Sequence, residues 1–133
     1  MVKRKYIPKK TREAVYGKYN GHCAYCGKKI EYKDMQLDHL IPKQREQFKR
    51  YSTEEIECFE NYMPACRRCN HAKRSYSLEG FREFIETIPK KLFRDNYIYK
   101  VGLDYGLVLA NEHKVIFYFE QVGTGENARK ENF

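Results

Sequence analysis

The sequence predicts an α+β domain built around one structural metal ion. Three observations lead there: two C-x2-C pairs, short runs rich in β-branched and aromatic residues, and amphipathic stretches of helical period. A chain of 133 residues suits one compact domain, since domains usually run to ~100–200 residues. Within it we distinguish a basic arm and helix at 1–20, a core at 21–89, and a C-terminal extension at 90–133.

The balance of 26 Lys and Arg against 18 Asp and Glu leaves a net charge of +8. The sequence pI is near 9.2 and the mean hydropathy −0.85. Such an excess favours polyanionic partners, with nucleic acid first and an anionic membrane surface second. No run approaches the ~20 apolar residues of a spanning helix, so a membrane protein is not expected. Met1-Val2-Lys3-Arg4-Lys5-Tyr6 is basic but lacks the apolar stretch of a secretion signal. The expectation is an intracellular, reducing compartment, where disulfides are disfavoured.

Cys23-Ala24-Tyr25-Cys26 and Cys66-Arg67-Arg68-Cys69 are separated by 39 residues. Two residues between thiols let a tight turn direct both sulfurs at one tetrahedral ion, and two such knuckles supply four thiolates. That set closes the coordination sphere, so the reading is structural Zn2+ rather than catalytic zinc. A redox C-x-x-C needs no second copy. Gly21 and Gly27 flank the first pair and give the backbone freedom the turn needs. Cys58, within Ile56-Glu57-Cys58-Phe59, reads as a packed thiol outside the set.

The remaining elements follow in order. Residues 1–12 hold six cations and no acid; they are either an arm along phosphates or a solvated tail. Pro8 opens a helix over 9–19, which Asn20-Gly21 ends. Residues 29–41 read as a β-hairpin or two short strands around Lys33-Asp34, and Pro42 ends the run. Short helices are expected at 43–50 and 53–59, the second capped by Ser52 or Thr53. The second knuckle leads into a helix from about 70. Leu78, Phe81, Phe84, Ile85 and Ile88 then fall at helical spacing, and Pro89 stops that helix. Residues 97–101 and 114–119 read as strands, with 107–109 a third, making a β-rich extension. Their aromatic rings have three uses open: stacking on bases, forming a homodimer edge, or ordinary packing.

The functional signal lies between and just after the knuckles. Gln36-Leu37-Asp38-His39-Leu40-Ile41-Pro42 sets a carboxylate beside an imidazole in a β-like stretch, where neighbouring side chains take opposite faces. Asp38 and His39 therefore need a bend to serve one site. Asn70 and His71 follow the second knuckle at a basic helix start. Asp38, His39 and Asn70 together make a poor zinc cage but suit Mg2+ or Mn2+.

Residues 21–74 resemble the HNH endonuclease motif, carried by the ββα-metal (His-Me finger) unit, in the subgroup stapled by four cysteines. The matching elements, in family order, are Cys23-x2-Cys26, Leu37-Asp38-His39-Leu40-Ile41-Pro42, Asn61-Tyr62-Met63-Pro64-Ala65-Cys66 and Cys69-Asn70-x2-Lys73. The resemblance implies hydrolysis of a DNA phosphodiester, in a bacterial or phage-type setting. It makes His39 the general base, Asp38 a ligand of one catalytic Mg2+ or Mn2+, and Asn61 the residue that fixes the loop and orients the base. Asn70 becomes the third motif position and second metal ligand. Many members carry histidine there, so His71 competes for the place if the helix register shifts. Arg67, Arg68, Lys73 and Arg74, with His71, become phosphate contacts. A single centre implies that a monomer nicks, while a dimer is needed for double-strand cleavage. The rival from another class is a non-catalytic zinc-knuckle module that binds nucleic acid; a third is a structural zinc domain that binds protein.

Overall fold

The structure, a computed structural model, describes residues 6–43 and 51–123. It divides into two units: one holds the chain up to Ser77 together with the segment from Ile116, and the other is Leu78–Val115. The boundary expected after residue 89 falls inside the second unit. Both helices and strands are present, so the α+β class holds.

In the first unit, α1 (Lys9–Gly17) follows Pro8, whose fixed φ suits a helix start. A 3-10 turn at Tyr32–Asp34 leads into β1 (Gln36–His39). Ser52 caps α2 (Thr53–Ile56) through a reciprocal box with Glu55, satisfying two free backbone donors. A second 3-10 turn, Phe59–Asn61, leads into the fully buried β2 (Tyr62–Ala65). The strands pair antiparallel, with Gln36 opposite Ala65 and His39 opposite Tyr62. The partner of β1 is thus β2, not a second strand within 29–41 as expected; residues 32–34 form the 3-10 turn instead. Next comes α3 (Arg67–Lys73), which packs against β1. The core includes Val15, Ile30, Met35, Ile56, Met63 and Phe117.

Lys18 ties α1 to this sheet. Its ammonium donates to the carbonyls of Phe59, Glu60 and Tyr62 at 3.0, 3.3 and 2.8 Å. Burial lowers its pKa despite the opposing pull of Glu60.

The second unit contains α4 (Leu78–Glu86), α5 (Ile88–Asp95) and α6 (Tyr97–Asp104). The helix expected to stop at Pro89 ends at Glu86, and Pro89 sits in the first turn of α5, where a missing N–H costs nothing. Asn96 caps α6 by accepting from Tyr99 N at 2.9 Å. Arg82 donates to Val115 O at 2.6 Å and Glu86 accepts from Val115 N at 2.8 Å, closing the unit.

The β-rich extension is overturned among the described residues. Residues 97–101 lie in α6, residues 107–109 form no strand, and residues 114–119 are an irregular run entering α7 (Tyr118–Val122). β-branched and aromatic composition fits a half-buried surface of either kind, and the Asn96 cap favours the helix. The backbone of 118–119 bonds instead to the first knuckle: Tyr118 N to Tyr25 O at 3.0 Å and Phe119 N to Ala24 O at 2.8 Å. The helix expected at 43–50 lies, beyond Lys43, outside the described residues. So do residues 1–5 of the basic arm.

Candidate active site

Four sulfurs form the scaffold. The ligand atoms of Cys23, Cys26, Cys66 and Cys69 all lie within 4.8 Å of one another, and Cys26 Sγ is 3.9 Å from Cys66 Sγ. Zn–S bonds of ~2.3 Å place tetrahedral sulfurs ~3.8 Å apart, so the cluster fits zinc. The thiol of Cys69 bonds to Cys23 and holds that thiol down to about 4, while burial pushes Cys26 up and the bond to Cys23 pushes Cys69 up. Metal binding would require all four as thiolates, with the cation between them offsetting their charge. Gly27 has φ +79, and a Cβ there would meet the Tyr118 ring at 2.9 Å. Only glycine turns the knuckle at that point without strain.

The neighbours Asp38 and His39 follow the alternation of β1 and part company. Asp38 is buried, its side chain 7% exposed and the partner Lys73 side chain 0%. Oδ2 of Asp38 accepts from the Tyr25 hydroxyl at 2.5 Å and lies 3.1 Å from Lys73 Nζ. Both bonds fall on one carboxylate oxygen. Lys73 also donates to the carbonyl of His39 at 2.9 Å. This corrects the expected use of Lys73 as a phosphate contact. The packing of α3 on β1 turns residue 73 inward, whereas Arg67, Arg68, His71 and Arg74 are exposed.

His39 takes the other side. Its Nε2 lies 3.1 Å from Glu57 Oε1, and its ring meets Tyr62 edge-on at 5.4 Å. Glu57 also accepts from the Tyr62 hydroxyl at 2.8 Å and lies 3.3 Å from Lys43 Nζ. Burial alone would raise the Glu57 carboxyl, but the hydrogen bonds from Tyr62 and His39 outweigh it and hold it below its usual range. Burial first, then the bond to Glu57, raises Tyr62. An ionised carboxylate only accepts, so Nε2–H is the donor of this bond, which in the neutral ring leaves the lone pair on Nδ1. Glu57 is not legible in the sequence as a partner of His39, because their 18-residue separation follows no helical or strand spacing.

Asn61 is buried and makes three bonds to backbone: its amide donates to Ile41 O at 3.1 Å and Ile56 O at 2.9 Å, and its oxygen accepts from Ile41 N at 2.8 Å. It joins the loop after β1 to the end of α2. Asn70 and His39 line one cleft of about 740 Å³ with Arg12, Lys33, Gln36 and Lys43. Asn70 stands one turn before Lys73 on α3, so the two share a helix face. Cys58 stays apart from the sulfur cluster, its thiol donating to Glu55 O at 3.3 Å.

Residues 23–75 match the HNH endonuclease family. The HNH segment thus includes both knuckles, β1, β2 and α3. No curated protein matches the chain. Among solved structures, the Type II-C Cas9 enzyme from Actinomyces naeslundii aligns with a TM-score of 0.46 at 19% identity, over 96% of this chain. The chain spans 14% of the length of that one. Among the described residues no helix is long and apolar enough to cross a membrane.

The carboxylate of Asp38 and the amide oxygen of Asn70 are the ligand types that Mg2+ and Mn2+ take, but Asp38 is not among the described residues that line the cleft of Asn70 and His39. Lys73 is the cation that balances Asp38 in this structure.

Proposed function

We propose that the domain is a metal-dependent endonuclease that hydrolyses DNA phosphodiesters, one strand per active centre. The observation that carries this reading is His39, fixed through Nε2 by Glu57 in a basic cleft that it shares with Asn70. With that nitrogen engaged, Nδ1 is the base that takes the proton from the attacking water. Glu57 favours the charged imidazole that results. Asn61 keeps the loop after His39 in place. Lys33, Lys43 and Arg12 attract the phosphate backbone into the cleft. Asp38 and Asn70 are the residues that would hold Mg2+ or Mn2+, which when bound offsets the charge developing on the leaving oxygen. The ends expected are 5′-phosphate and 3′-hydroxyl. A monomer nicks, and a dimer would be needed to sever both strands together.

The Lys73–Asp38 pair favours a second reading, in which the domain binds nucleic acid without cutting it. There Asp38 serves only as the buried counterion of Lys73. Incubation of supercoiled plasmid with the protein and Mg2+ or Mn2+ separates the two. The nuclease reading expects open-circular product, abolished by EDTA; intact plasmid with either metal, despite DNA binding, supports the second.

A further inference from the structure

A second groove, about 1,220 Å³ in volume, adjoins the cleft and shares Lys33, Gln36 and Asn70 with it. Its cations are Lys28 and Lys29, just after the first knuckle, Lys33, and Arg67 and Arg68 within the second knuckle. All five are exposed. Lys28, Lys29, Arg67 and Arg68 have no ion-pair partner among the described residues, while Lys33 pairs with Glu31 at 3.5 Å. Glu31 and Asp34 are the acids of the groove, so positive charge predominates. Among the described residues lining it, the imidazole of His71 is the one ring.

Both sets of cations stand on backbone held by the sulfur cluster. Cys23 N donates to Lys28 O at 2.8 Å, and Lys29 bridges to His22. Arg67 and Arg68 open α3, whose first turn is capped by Cys66 Sγ accepting from Cys69 N at 3.4 Å. Exposed cations on a rigid support bind a polyanion with little reorganisation. A lone imidazole is no platform for stacking successive single-stranded bases. About half to two-thirds of the hydrogen bonds that proteins make to DNA go to phosphate and sugar, with Arg and Lys the chief cationic donors.

We propose that the zinc knuckles form a backbone-binding groove for duplex DNA flanking the cut, indifferent to sequence and continuous with the cleft at Asn70. The choice of DNA as the polyanion rests on the nuclease reading; the binding itself does not. The test compares wild type with Lys28→Glu/Lys29→Glu, and with the milder Lys28→Gln/Lys29→Gln should the first fail to fold. Zinc content and circular dichroism establish that the variant is intact. Duplexes of three unrelated sequences are then titrated across a range of salt. The expected result is at least about a 10-fold rise in Kd on every duplex at low salt. The slope of log K against log salt should become shallower by about 1.8, about 0.9 for each phosphate no longer neutralised. An unchanged Kd and slope in a folded, zinc-loaded variant would overturn the proposal, as would weakening confined to one sequence. If the wild type binds DNA but never cuts it, the nuclease reading fails while this comparison still decides the groove.

Discussion

Nε2 of His39 lies 3.1 Å from Oε1 of Glu57, and that carboxylate is almost enclosed, with its side chain 6% exposed. An imidazole held at one nitrogen is held in one tautomer, with the lone pair on the other. On the nuclease reading, Glu57 is a positioning residue for the proposed base, His39. Partners that orient a functional histidine are worth about 10- to 100-fold. Glu57→Ala should lower the single-turnover cleavage rate by about that factor, while Glu57→Gln, which keeps an acceptor, should fall between it and wild type. DNA affinity measured alongside should move little, which separates impaired chemistry from impaired folding.

The same carboxylate carries a pH signature. Its folded pKa lies below the usual range, so its contribution to stability is complete above the unfolded value of ~4.3. It is lost as pH falls through the depressed folded value. Thermal unfolding of wild type and Glu57→Gln between neutral and acid pH should show the wild-type advantage shrinking toward the acid end.

Loss of one sulfur should be a folding lesion. Cys66→Ser removes a thiolate ligand, while the serine hydroxyl can still cap α3, and structural zinc contributes on the order of 10 kcal/mol. Elemental analysis should find the zinc gone, and circular dichroism the cooperative transition abolished.

Asn61 is the densest polar junction of the site. Asn61→Ala strips three hydrogen bonds from the backbone of Ile41 and Ile56, and buried polar groups left unmade cost ~1–3 kcal/mol each. We expect a fall in stability of about 3 kcal/mol in denaturant titration, with cleavage falling as the loop after His39 loosens.

The buried pair of Lys73 and Asp38 separates structure from metal binding. Removing one partner of such a pair costs ~3–5 kcal/mol, so Lys73→Met and Asp38→Asn should both destabilise the fold. Manganese binding, followed by electron paramagnetic resonance, should divide them: Asp38→Asn loses the site, and Lys73→Met keeps or tightens it.

Much of this is legible in the residues because the signals are local. Four cysteines at C-x2-C spacing suit zinc, Ser52 is one of the two caps that announce α2, and Gln36 to Pro42 reads as a β-like stretch. What escapes depends on distance or phase. The partner of β1 lies at 62–65, beyond the reach of any local pattern. Lys73 resembles its exposed neighbours in sequence, and only the rotation of α3 distinguishes it. Tyr97-Ile98-Tyr99-Lys100-Val101 satisfies strand composition and a capped helix equally, and period alone does not arbitrate over five residues.

The most direct test sets His39→Ala beside wild type, purified identically, on supercoiled plasmid with Mn2+, with duplex binding measured in parallel. The variant is expected to bind DNA in the same salt-dependent way yet to produce no open-circular plasmid. Equal nicking by both proteins would contradict the role proposed for His39.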